Sequence, residues 1–461
     1  MCIFWKEGND LKMRSLVYLA GALILLAGWL LILPGSAVVM SGASDQYAGA
    51  DATVVSYVLS TTHNSTLIWW YPHNVVPDNL LYANSSYYLQ TGSHDHAVIV
   101  NKTSPSPMIL LTDLEAGMRY HYALKSGPDT IGNMSFWTFP ENGSCSFIVY
   151  GDTREQAPYF TQTERHKIVA DRISQEPNIS FVINTGDLVS NPDDPGEWDR
   201  FFTAGKMLFA TTTYAVVRGN HDANLSLLKD HFGTDGMYSF DCGDAHIAVI
   251  DSTDYARFTL PEQAHWLKSD LASSNKWNIV IVHHPLYTSE ANHFGGFENL
   301  QKVFEPMFLS ENVSVVFNGH VHAYERIEQS GIQYVTEGRG GAPAYRLSEK
   351  KMEGSVRSLE NSLGYSRITI NPEAESLNIE VIQVAEVSPD LRNVTQIFPV
   401  NTVIDRVELK KPGKKTNPRL ISSKPKPILS DVSSCKNSSV SSRYNLFSGH
   451  NPFCILPEIL D

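Results

Sequence analysis

Five short clusters of glycine, aspartate, asparagine and histidine, each following an apolar run, constrain this chain more than anything else in it. They are Gly151-Asp152-Thr153-Arg154, Gly186-Asp187, Gly219-Asn220-His221-Asp222, His283-His284-Pro285 and Gly319-His320-Val321-His322. The preceding runs, such as Phe147-Ile148-Val149-Tyr150, Ile279-Val280-Ile281-Val282 and Val313-Ser314-Val315-Val316-Phe317, are brief and rich in β-branched residues. Runs of that kind read as buried strands. Helix-compatible segments lie between them, roughly at 163–173, 197–208, 261–273 and 298–309. Strand and helix in repetition predict parallel crossovers, and ligands of such sheets bind beyond the carboxyl ends of the strands. All five clusters are therefore expected at one edge.

Carboxylates, an amide and imidazoles gathered at one edge form the donor set of a two-metal hydrolytic centre. Two cations about 3.5–4 Å apart can hold a phosphoryl oxygen and a hydroxide together, but they need a carboxylate between them. Asp187 is the candidate bridge, with Asn220, His283 and His320 on one ion and Asp152 and His322 on the other. Neutral nitrogen and amide donors suit two ions of iron, manganese or zinc better than calcium. Water on such an ion has its pKa lowered toward about 7, which gives hydroxide for in-line attack on a phosphate ester. His221 is the candidate acid for the leaving group, with Asp222 holding its tautomer. Arg154 reads as a bidentate grip on phosphoryl oxygens, or as a salt bridge to a neighbouring carboxylate. His284 either faces substrate or packs, and Tyr287, His293 and Tyr324 are candidates for the rim.

The order and content of the clusters resemble the calcineurin-like metallophosphoesterases, and Gly319-His320-Val321-His322-Ala323-Tyr324-Glu325-Arg326 resembles the purple acid phosphatase branch. That resemblance implies an α/β fold, a four-layer αββα sandwich over about 144–385, a dinuclear metal centre and hydrolysis of phosphate esters. Two departures stand out. Where purple acid phosphatases carry a ferric-ligand tyrosine three residues after the second aspartate, this chain has Ser190, so no purple colour is expected. Where other members carry a histidine two residues after the first aspartate, it has Arg154. His166, in the first turn of the helix after Asp152, is a candidate replacement ligand, or an ordinary helical histidine.

The surrounding chain speaks of export. No charged residue occurs from Ser15 to Ser44, and Leu16–Leu33 approaches the roughly 20 apolar residues of a bilayer crossing. Lys6, Lys12 and Arg14 precede it, so residues 1–14 are expected in the cytoplasm and the remainder outside. Residues 15–40 then form a retained transmembrane anchor, or a signal peptide cleaved near Ala43. Ten Asn-X-Ser/Thr sequons, among them Asn64, Asn133, Asn224 and Asn437, fit an extracellular surface. Cys145, Cys242, Cys435 and Cys454 allow three disulfide pairings, and a Cys435–Cys454 bridge is expected because it closes a short loop.

Closely spaced strand-like runs over 46–140 read as an all-β sandwich. Leu111 to Tyr122 resembles the end of the fibronectin type III-like domain that precedes the catalytic domain in plant-type purple acid phosphatases. His94 and His96 in this region belong to a polar strand or loop rather than a metal site. Residues 386–461, with Lys410-Lys411-Pro412-Gly413-Lys414-Lys415 and serine-rich stretches, are expected to be a flexible tail. At 42% hydrophobic and 18% charged, 461 residues suffice for more than one packed domain. A net charge of −13 argues against nucleic acid as a partner. The expected function is an exported phosphoester hydrolase on phosphate-ester substrates, with membrane contact through the amino-terminal segment; the alternative is a surface-attached binding module with a degenerate centre.

Overall fold

The computed structural model describes residues 54–411 apart from 73–75, 103–107, 223, 254–258, 389 and 391. The anchor or signal segment at 15–40, the Cys435–Cys454 pairing and the last fifty residues lie outside the described residues. Among the described residues no helix is long and apolar enough to cross a membrane.

The first module contains β1 (Val55–Leu59), β2 (Thr66–Tyr71), β3 (Asn79–Asn84), α1 (Ser85–Thr91), β4 (His96–Ile99), β5 (Met108–Leu111), β6 (Arg119–Ser126) and β7 (Asp129–Trp137). Its strands pair antiparallel in the orders β1-β2-β5 and β4-β3-β6-β7. Alternate residues of the two sheets turn inward, so Val58, Ile68, Trp70, Leu80, Tyr122 and Phe136 share one core. The Tyr122 hydroxyl lies 3.0 Å from Ser56 Oγ and donates to the Ala210 carbonyl at 2.8 Å. One buried phenol thus ties both sheets to the next module.

That module opens with β8 (Cys145–Tyr150), α2 (His166–Ile173), β9 (Phe181–Asn184), α3 (Pro195–Ala204), α4 (Lys206–Thr211), β10 (Thr213–Val216), α5 (Leu225–Phe232) and β11 (Tyr238–Cys242). It continues through β12 (Ala245–Ile250), α6 (Leu260–Ser273), β13 (Trp277–Val282), α7 (Glu298–Ser310), β14 (Val313–Asn318), β15 (Tyr324–Gln329) and β16 (Ile332–Glu337). The last strands are β17 (Ser355–Leu359), β18 (Ser362–Asn371), β19 (Ser376–Val387), β20 (Val394–Ile397) and β21 (Val403–Lys410). One sheet runs β10-β9-β8-β18-β19-β20 with β21 beside β19, and the other runs β11-β12-β13-β14-β16-β15-β17. The β8–β9–β10 and β12–β13–β14–β16 pairings are parallel, as the crossovers require.

The period of two explains the layering. In β8, Phe147 and Val149 face the other sheet, while Ile148 and Tyr150 face Phe201, Phe202 and Trp198 of α3. In β13, Ile279 and Ile281 face inward, and Val280 and Val282 meet Leu267 of α6 and Phe304 of α7. Because both faces of each central strand are buried, the runs read as continuously apolar. Helices, sheet, sheet and helices make four layers, as expected. The Cys145–Cys242 disulfide joins β8 to β11, one strand from each sheet.

Two expectations are corrected. The helix expected over 197–208 breaks at Gly205 into α3 and α4. The tail expected to be flexible from 386 onward instead contributes β20 and β21, which lie end to end along the free edge of β19. Asp405 in β21 accepts from Tyr324 Oη at 2.7 Å and from Arg326 Nε at 2.8 Å, so β21 is clamped from β15.

Candidate metal centre

Each of the five clusters begins where a strand runs out, and the backbone there turns sharply. Asp152, Asp187 and His320 have φ of 56, 54 and 66°, a region that non-glycine residues rarely adopt. The glycines beside them are needed for close approach. A Cβ on Gly219 would lie 2.2 Å from Asp187 Oδ1, and one on Gly319 would lie 2.5 Å from Asp152 Oδ2. The loop at 338–341 likewise closes on the site, since Gly340 N–H donates to the Gly151 carbonyl at 2.7 Å and Ala342 N–H to the Asp152 carbonyl at 2.8 Å.

Asp187, Asn220, His283 and His320 come together as expected. The His283 Nδ1–H donates to the Thr185 carbonyl at 2.9 Å, which leaves the Nε2 lone pair facing inward. That Nε2 lies 3.0 Å from Asn220 Oδ1 and 3.4 Å from Asp187 Oδ1, and His320 Nδ1 lies 2.8 Å from the same Asn220 oxygen. Two oxygens, from an amide and a carboxylate, thus face one imidazole nitrogen. That is a donor set that could hold a cation. Burial, with His283, His284 and His293 close by, pushes the His320 imidazole far below its usual range, and its Nε2 is buried without a partner. For Asp187, burial opposes ionisation, but His283 and His221 outweigh it and hold the carboxyl below its usual range.

On the other side stand Asp152 and His322. His322 Nδ1–H donates to the Pro343 carbonyl at 2.6 Å, and its unpartnered Nε2 lies 3.3 Å from Asp152 Oδ1. Burial and then Arg154 lower this imidazole to about 3, so it is a neutral donor. Burial pushes the Asp152 carboxyl up to about 8 against the pull of His283, and the His320 N–H donates to both its oxygens. Asp152, Asp187 and His283 offer ligand atoms within 4.8 Å of one another.

Among the described residues, none of the expected third ligands reaches this side. Ser190 Oγ donates to the Glu155 carbonyl at 2.5 Å, away from the site. The His166 proposal is corrected: its Nε2 lies 3.0 Å from Tyr150 Oη, and its ring stacks on Phe201 inside the core. Arg154 extends along Asp187 instead, with Nε 3.8 Å from Asp187 Oδ2, and it hydrogen-bonds Tyr345. The Tyr345 ring covers His322 with centroids 4.0 Å apart. Nothing in the sequence around Tyr345 signals this role, because it arrives from an irregular loop far along the chain.

His221 and Asp222 separate. The His221 backbone N–H donates to Asp187 Oδ1 at 2.9 Å, and its Nδ1 lies 3.0 Å from the Ser190 carbonyl. Asp222 does not hold His221; it turns inward and accepts from Leu188 N at 3.0 Å, Val189 N at 3.4 Å and Gly219 N at 3.1 Å. Adjacent residues point in opposite directions here, and the carboxylate braces the Asp187 loop. Burial, then Asp187, pushes it up to about 7.

His284 packs on Phe297 and faces His320 at 4.5 Å, its Nδ1 2.8 Å from Ser252 Oγ. His293 has the carboxylate partner expected of His221: its Nδ1 lies 2.7 Å from Glu290 Oε2, with its ring 5.2 Å from His320. Tyr287 and Tyr324 are not rim residues but buried core. Their hydroxyls serve Glu305 and Asp405, since a buried phenol needs an acceptor wherever it packs. His96 stacks on Tyr82 and His94 lies beside Tyr88, both in the first module.

Residues 145–324 match the calcineurin-like phosphoesterase family. Purple acid phosphatase 21 of Arabidopsis thaliana is 25% identical over 359 residues, covering 70% of this chain and 77% of its own length. Purple acid phosphatase 23 of the same plant is 35% identical over 291 residues, covering 50% of this chain and 62% of its own. The fold of purple acid phosphatase PPD1 from yellow lupin (Lupinus luteus) seeds matches with a TM-score of 0.60 at 17% identity, over 78% of this chain and 74% of that one. The chain is a phosphoesterase enzyme of the metal-dependent class. Within that class it resembles the purple acid phosphatases, whose fold implies a dinuclear metal site. The residues fit that site unequally: Asp187, Asn220, His283 and His320 bring four candidate donors together, whereas Asp152 and His322 share their side with a guanidinium.

Proposed function

We propose that this protein is an exported, metal-dependent hydrolase of phosphate monoesters or diesters. The observation that carries the reading is the convergence of His283 Nε2 with Asn220 Oδ1 at 3.0 Å and Asp187 Oδ1 at 3.4 Å, with His320 Nδ1 2.8 Å from the same Asn220 oxygen. An iron, manganese or zinc ion held there would act as a Lewis acid on the ester and activate water. The chain's own residues do the remaining work. Thr185 and Pro343 carbonyls fix the imidazoles, and Arg154 is directed to grip phosphoryl oxygens through its planar fork. His221, steadied by the Ser190 carbonyl, can as imidazolium donate Nε2–H to the leaving oxygen; His293, steadied by Glu290, is the competing donor.

The antiparallel sandwich before the centre is assigned as a fibronectin type III-like module over 46–140, on the strength of its three- and four-stranded sheets. Export is supported by the uncharged segment at 15–44 and by the sequons: none of the nine described asparagines is buried. Anchorage in a membrane by 15–40, or release by cleavage near Ala43, are the two forms of that export. The incomplete Asp152 side supports a second reading, a surface-attached binding module. Assay of wild type and Asp187→Asn on a panel of chromogenic monoesters and diesters separates them. Loss of hydrolysis by about 10³-fold or more is expected, since a bridging charge is removed; turnover untouched by the substitution would sink the enzyme reading.

A further inference from the structure

Three positions that the sequence or the superfamily pattern offers for the Asp152 side do not supply a ligand, and Tyr345, whose ring covers His322, is hydrogen-bonded to Arg154. Ser190 Oγ is spent on the Glu155 carbonyl, His166 is turned into the core on Tyr150, and Arg154 presents a cation. The guanidinium is well confined: the Arg154 side chain is 12% exposed, its backbone N–H donates to the Asp187 carbonyl at 3.1 Å, and it hydrogen-bonds Tyr345. Its Nε is buried with no partner, although Asp187 Oδ2 lies only 3.8 Å away. An arginine is a permanent cation with no lone pair to offer a metal.

From this geometry we infer that the centre holds one metal ion firmly, on Asp187, Asn220, His283 and His320, and that Arg154 stands in for the second. The inference rests on the reading of the centre as metal-dependent. Charge favours it. One divalent ion with Asp152, Asp187 and Arg154 leaves roughly one positive unit, while a second ion would raise that to roughly three in a largely buried site. The guanidinium also supplies what a second ion would: it neutralises Asp187 and can bind phosphoryl oxygens in pairs. Among the described residues, Asp152 and His322 are the donors left for a second ion besides Asp187; they lie 3.3 Å apart with the His320 N–H on the carboxylate, and the neighbouring Tyr345 hydroxyl is hydrogen-bonded to Arg154.

Metal content per chain tests this without reference to turnover. Full-length protein is loaded separately with Mn²⁺, Zn²⁺ and Fe²⁺, dialysed against metal-free buffer and analysed by mass spectrometry for bound metal. About one ion per chain is expected for wild type, still about one for Asp152→Asn, and about two for Arg154→His, which installs the histidine ligand found elsewhere in the superfamily. Turnover of Arg154→Ala should fall about 10²-fold or more, as when a charged transition-state donor is lost. Two ions in wild type, one of them lost in Asp152→Asn, would overturn the inference and leave the metal-dependent reading intact. No ion in wild type would overturn that reading and this inference with it.

Discussion

Two carboxylate–histidine pairs stand side by side in this centre, built on the same plan. In each, the histidine is anchored through Nδ1 to a main-chain carbonyl, Thr185 for His283 and Pro343 for His322, and Nε2 approaches an aspartate at 3.4 and 3.3 Å. Each aspartate holds a left-handed backbone at a strand end. The pairs differ in the third member: Asn220 presents an oxygen to one, and Arg154 a cation to the other. Backbone geometry thus sets the frame, and one side chain decides whether a half of the centre can close on a metal.

The comparison breaks if the two halves prove equal. His283→Ala should lower kcat/KM by about 10³-fold, the scale of losing several kcal/mol of Lewis-acid stabilisation. His322→Ala should lower it by only about 10–100-fold, the size of a supporting role around a metal. Equal losses would make both halves metal-bearing. The proton donor sharpens it next. Removing the true donor, His221 or His293, should cost about 10²-fold or more and abolish the basic limb of the pH–rate profile, whereas removing the other leaves that limb in place. Asp222→Ala should destabilise the fold by about 3 kcal/mol, because three buried N–H groups, those of Leu188 and Val189 in the Asp187 loop and of Gly219 in its own, lose their acceptor. A thermal melt reads that loss.

The smallest effect lies away from the centre. His246 is held between Asp241 at 2.7 Å and Asp270 at 2.8 Å, with Lys276 on the far side of Asp241. Burial works against its charge, but the two carboxylates raise it to about 9. A histidine pKa raised on folding stabilises fully below about 6.5 and loses that contribution as pH climbs through about 9. Urea midpoints at pH 6 and pH 10 should differ more for wild type than for His246→Gln, by on the order of 1–2 kcal/mol after screening of the half-exposed Asp241.

The candidate ligands were legible because their clusters follow apolar runs, so sequence order alone brings Asp152, Asp187, Asn220, His283, His320 and His322 to one edge. What sequence could not give was side-chain direction. Asp222 follows His221, yet it turns to the Leu188 amide; His166 lies one helix from Asp152, yet Tyr150 offers its ring a buried partner. Tyr324, Glu325 and Arg326 read as part of the site motif but belong to a strand: Glu325 accepts from Ser289 and Ser355, and Arg326 clamps Asp405. Strands β20 and β21 were missed because they add to an edge formed earlier in the chain, and the four residues of β20 carry little period of their own. Tyr345 was invisible for a related reason, since only the fold brings its loop over His322.

The central claim is that hydrolysis depends on a metal held by Asp187, Asn220, His283 and His320. Stripping the purified protein with a strong chelator and then restoring Mn²⁺, Zn²⁺ or Fe²⁺, with bound metal and phosphoester turnover measured on the same samples, tests it most directly. Turnover should vanish with the ion and return with it in wild type, and fail to return in Asn220→Ala. Undiminished turnover in protein free of metal would contradict it.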